Sequence, residues 1–159
     1  MKRASCFLAA FLVTTPVVAW ELDGTESKKT WSYVAFQSDK SGAIELQFYC
    51  DESYPDDIQM LVFTNTDSDA TDDDHPSVAV KVGVDDETFD DLSGYYDAVD
   101  GERTLVLDTV EEKRVRDVIA AARGAKQPLQ VYYDGQSHRF AVEDIAQTLG
   151  DFVEGCDRS

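Results

Sequence analysis

Asp67, Asp69, Thr71 and Asp73 stand at alternate positions, as the first four ligands of a calcium loop do. Calcium takes many hard oxygens, and alternating carboxylates supply them. The pattern then breaks. Asp72 stands where the sharp turn needs glycine, and Val78 where the last ligand needs glutamate. The stretch from Asn65 to Pro76 therefore reads as a solvated acidic loop, with calcium at those four residues as the alternative. His75 and His138 are the two histidines, and neither falls in a cluster with zinc-ligand spacing.

Nucleophilic chemistry has little to work with. There is no Gly-x-Ser-x-Gly, no glycine-rich phosphate loop and no serine in a motif with His138. Carboxylates are so numerous that adjacent pairs arise by chance, so their presence argues for no acid/base dyad. The sequence is read as non-catalytic, with no cofactor. The aromatic pairs suit recognition better. Tyr95-Tyr96 lies between Gly94 and Asp97, just after Asp90 and Asp91. Rigid rings in an acidic rim anchor a protein partner while charge steers it. Tyr95, Tyr96, Asp90 and Asp91 are the expected partner-binding residues, on an acidic loop that begins at Asp85.

The elements that hold these residues follow from periodicity. Alternation from Trp31, and again through Ile44, Leu46, Phe48 and Cys50, predicts two strands. Ile58 to Thr64 is apolar enough for a strand buried on both faces. Val78, Val80, Val82 and Val84 mark a fourth strand, and Thr104 to Leu107 a short fifth. Thr109 and Glu112 have capping-box spacing ahead of Val115, Val118, Ile119 and Ala122, a helical stripe that stops at Gly124. Leu129, Val131 and Tyr133 lead into Asp134-Gly135, a hairpin signal, and back through His138, Phe140 and Val142. Ile145, Leu149, Phe152 and Val153 line a last helix ending at Gly155. The expected fold is α+β: a mostly antiparallel curved sheet or small sandwich of about seven strands with two helices packed on it.

Lys2 and Arg3 precede an apolar run from Phe7 to Val18, and Val17-Val18-Ala19 has the small residues of a cleavage site. Residues 1–19 are expected to be a secretory signal peptide. Residues 20–30 read as an N-terminal extension and residues 31–159 as a single domain. No second apolar stretch reaches membrane length. After cleavage two cysteines remain, Cys50 and Cys156, and in an exported protein an even pair implies a disulfide between them.

Charge excludes one class of partner. The full chain carries 14 Lys+Arg against 32 Asp+Glu, a formal net charge of −18. Phosphate backbones would be repelled, so no nucleic acid is expected. The acidity suits either a saline medium or a basic-faced protein partner drawn in at long range.

Trp31, then Leu46-x-Phe48-x-Cys50, then Val80 and Val82 leading to Asp85, followed by Leu129-x-Val131-x-Tyr133, Phe140-x-Val142 and a short helix closing on Cys156, form one pattern. It resembles small exported one-disulfide proteins of Gram-negative bacteria, among them the VasI-like accessory proteins of type VI secretion. The resemblance spans most of residues 31–156, and the acidic insert at 65–77 departs from it. It implies a periplasmic or secreted accessory protein of the envelope or a secretion system, acting by protein–protein contact. The alternatives are an inhibitor or immunity protein against a cationic toxin or lysozyme, and a hydrolase whose carboxylates the sequence does not single out.

Overall fold

The computed structural model describes residues 19–27, 30–53, 57–68, 76–107 and 111–157. The chain runs β1 (Glu21–Glu26), β2 (Trp31–Ser38), β3 (Glu45–Asp51), β4 (Gln59–Asp67), β5 (Val78–Val84), β6 (Glu87–Val99), β7 (Glu102–Leu107), α1 (Glu112–Ala122), β8 (Leu129–Tyr133), β9 (Gln136–Phe140) and α2 (Ile145–Asp157). All nine strands form one antiparallel sheet in the order β1-β2-β3-β4-β7-β6-β5-β8-β9. The α+β class and the two helices match the sequence expectation. The strand count of about seven does not.

The two extra strands replace segments read as irregular. Within the stretch read as an N-terminal extension, Glu21–Glu26 forms β1, which pairs along β2 from Glu21↔Phe36 to Glu26↔Trp31. The acidic stretch from Asp85 is not a loop beyond its first two residues, because Glu87 opens the longest strand. Thr109 lies outside the described residues; Glu111 occupies the N-cap of α1 and makes no side-chain cap bond. The last helix passes through Gly155 and carries Cys156 within it.

Alternation decides which face is buried. Leu46 and Phe48 of β3, Met60 and Val62 of β4, Leu105 and Leu107 of β7, the four valines of β5 and Leu129 and Val131 of β8 meet Val115, Val118 and Ile119 of α1 and Leu149 and Phe152 of α2. This inner face is the core, and the helices pack on it. The Cys50–Cys156 disulfide joins β3 to α2 across 106 residues of sequence.

The sheet curls until its two ends meet. Trp20, just ahead of β1, donates its indole N–H to the Ala141 carbonyl at 2.7 Å and its backbone N–H to the Glu143 carbonyl at 3.1 Å. Its ring stacks on Phe48 at 5.9 Å between centroids. At the other end of the same seam His138 of β9 faces Asp39, after β2, at 3.4 Å.

β6 changes partners half-way, from β5 to β7. Gly94 sits at that change, and a Cβ there would lie 2.6 Å from the Val106 carbonyl oxygen and close to Leu105 and Leu107. A backbone oxygen held in a ladder has nowhere to retreat. Gly94→Ala is expected to cost about 1–3 kcal/mol by overpacking, read as a lower urea midpoint at unchanged m-value.

Candidate functional site

The four expected partner-binding residues fall on β6, and the structure does not gather them. Val80↔Leu92 and Val82↔Phe89 leave Asp90 and Asp91 opposite Lys81 alone, two residues against one. That is a β-bulge, and it turns both carboxylates to solvent. Asp91 is engaged by the Arg114 guanidinium of α1, which holds its carboxyl below the usual range. Tyr95 and Tyr96 are strand neighbours and so point to opposite faces.

Tyr96 faces inward. Its hydroxyl donates to Asp134 at 2.6 Å, and the Arg103 guanidinium lies 3.9 Å from its ring centre. Burial, then the Asp134 bond and charge, push its pKa up. Tyr96 closes the β8–β9 turn, where Asp134 (φ 48°) and Gly135 (φ 72°) supply the two left-handed residues the Asp-Gly signal predicts.

Tyr95 faces outward, and register gives it company. Phe36, Gln47, Leu61, Val106 and Tyr95 are successive cross-strand partners on β2, β3, β4, β7 and β6. They form one rung across the outer face, opposite the helices. Leu61 and Val106 are 6% and 5% exposed there, yet belong to no part of the inner core. Phe36 and Tyr95, at the two ends of the rung, are half-buried. The next rung is Ser38, Glu45, Phe63, Thr104 and Asp97.

A groove of about 340 Å³ opens beside these rungs, lined by Ser38, Gly42, Ala43, Glu45, Gln47, Phe63, Asn65, Asp100 and Glu102. Its charged side chains are all acidic. Glu45 accepts from Gln47 at 2.7 Å and from the Ser38 hydroxyl at 3.3 Å, and Glu102 accepts from the Asn65 backbone N–H. Both carboxylates are thereby fixed in place.

No family model, curated protein or solved structure matches the chain.

The remaining sequence candidates are placed as follows. Asp67 ends β4; Asp69, Thr71 and Asp73 lie outside the described residues, as does His75. Among the described residues no group of three or more His, Cys, Asp or Glu could hold a metal ion. His138 lies on β9 as a strand residue, stacked on Tyr133 at 5.4 Å. Its Nδ1 meets Asp39, whose other oxygen accepts from the Ser41 hydroxyl at 2.6 Å, while its Nε2 meets Gln136 at 3.3 Å. The serine therefore bonds the carboxylate and not the ring, the reverse of a nucleophile–base order. Burial pushes the Asp39 carboxyl up, but the hydrogen bonds from Ser41, His138 and the Ala43 backbone outweigh it and hold the pKa below the ordinary value.

One titration is visible on the outer face. Tyr49 donates to Asp51 at 2.8 Å, and burial together with that bond raises its pKa from 10.0 to about 12. The folded state keeps the phenol proton where the unfolded chain releases it. The stability this provides is complete below pH 10.0 and is lost as pH climbs to about 12. Tyr49→Phe is expected to flatten that alkaline loss, measured as urea midpoints across the interval.

Proposed function

We propose that the chain is an exported, non-catalytic binding protein of the cell envelope or a secretion system, and that its partner is a protein with a basic face. The observation that carries this reading is the outer rung of β2-β3-β4-β7-β6. It places the half-buried rings of Phe36 and Tyr95 on the sheet face away from the helices, in a chain of net charge −18. Apolar contact supplies affinity there, and the surrounding carboxylates supply steering and selectivity. Tyr95 is the expected anchor. The resemblance to exported one-disulfide accessory proteins supports the same class. So do the leader-like residues 1–19 and the disulfide, and among the described residues no helix is long and apolar enough to cross a membrane.

The test is affinity capture from an envelope extract with the disulfide-intact protein, followed by mass spectrometry. The expected partner is a basic protein, retained at low salt and lost at about 1 M salt, where the screening length falls to about 3 Å. Tyr95→Ala is expected to weaken capture about tenfold or more, the cost of removing a central aromatic anchor. Finding no partner at either salt overturns the reading. A turnover assay that responds to an Asp substitution replaces it with the hydrolase alternative.

A further inference from the structure

We infer that the groove beside the outer rung receives an arginine side chain of the partner, and that the apolar residues flanking this arginine lie on the rung. The inference rests on the binding reading above and names its central contact. Charge selects a cation, because Glu45, Asp100 and Glu102 line the groove and, among the described residues, no lysine or arginine does. Size admits a long side chain, because the groove offers about 340 Å³. The lining selects guanidinium over ammonium. Phe63 offers an aromatic surface, and a planar, weakly hydrated cation stacks on it while its fork of N–H donors meets carboxylates. Glu45 and Glu102 are already held by Ser38, Gln47 and the Asn65 backbone, so they lose little freedom on binding.

The apolar part of the surface is continuous with the charged part. Gln47 lies on the groove wall and on the rung between Phe36 and Leu61. A partner surface that carries one arginine among apolar residues covers both at once. A second copy of this chain does not fit, because its own groove and turns are acidic and would repel.

The experiment is a titration of isotopically labelled, disulfide-intact protein with acetyl-Leu-Arg-Leu amide, followed by backbone and methyl NMR. The control peptide carries citrulline in place of arginine. Shifts are expected at Glu45, Gln47, Phe63, Asn65 and Glu102 and at the Leu61 and Val106 methyls. The citrulline peptide is expected to bind roughly two- to fivefold more weakly. Glu45→Gln with Glu102→Gln should reproduce that loss. Asp86→Asn with Glu87→Gln removes the same charge at the β5–β6 turn and should leave binding unchanged. Shifts spread over all the acidic turns, equal binding of the citrulline peptide, or indifference to the Glu45/Glu102 substitutions overturns the inference. A salt-sensitive basic partner captured equally by wild type and the Glu45/Glu102 variant refutes the groove and leaves the binding reading standing. Groove binding without any captured partner refutes the binding reading instead.

Discussion

Replacing Cys50 and Cys156 together by alanine lowers the unfolding free energy by about 4–5 kcal/mol, the chain-entropy value for a bridge closing 106 residues. In melting temperature this is a fall of roughly 10–20 °C. The effect is large because the bridge closes a long loop and so removes much of the unfolded chain's freedom. Cys50 lies on β3 and Cys156 in α2, and both are 1% exposed, so reductant reaches them only when the structure opens. The wild type should therefore respond to reductant during unfolding, and the double-alanine variant should not respond at all. Calorimetry with and without reductant separates the two. Equal melting of the reduced wild type and the oxidised wild type would remove the bridge from the account of stability.

Trp20→Ala is expected to cost about 3–5 kcal/mol, the range for deleting a large buried aromatic. Trp20 is 3% exposed, stacks on Phe48, and ties β1 to the segment after β9 through the indole N–H and the backbone. Thr148 of α2 donates its hydroxyl to the Trp20 carbonyl at 3.4 Å, so the residue also contacts the last helix. Trp20→Phe keeps a ring on Phe48 but leaves the Ala141 carbonyl without its donor, which costs about 1–3 kcal/mol. Urea unfolding of the two variants should rank alanine well below phenylalanine. A phenylalanine variant as unstable as the alanine variant would place the whole effect in the hydrogen bond rather than in packing.

Where alternation is clean, the sequence specifies the fold. β2, β3 and β5 follow from their side-chain period, the β8–β9 turn from Asp134-Gly135, and the helices from their apolar stripes. The uninterrupted apolar run at the start of β4 also signalled two buried faces, and Met60, Leu61 and Val62 are all buried. Two strands were illegible for different reasons. β1 has no apolar alternation, because all six of its residues are exposed; pairing to β2 and the Trp20 anchor impose its conformation. β6 has the right residues in the wrong phase. The bulge at Asp90–Asp91 separates its inward Phe89 and Leu92 by three positions, which breaks the period of two. The neighbourhood of the candidate site was legible only in part. Tyr95 stands on the outer face, but Phe36, Leu61, Phe63 and Val106 come from three other strands and share that face only through register. No spacing within one strand reveals that neighbourhood.

The Trp20 clasp also fixes when the structure can be completed. Its partners lie 121 and 128 positions along the chain, and the groups joined by the bridge 106 apart. Contacts of such long range form late, since loop closure precedes any gain from them. The seam therefore stays open until the last helix has been delivered, whatever the local strand pairs have already formed.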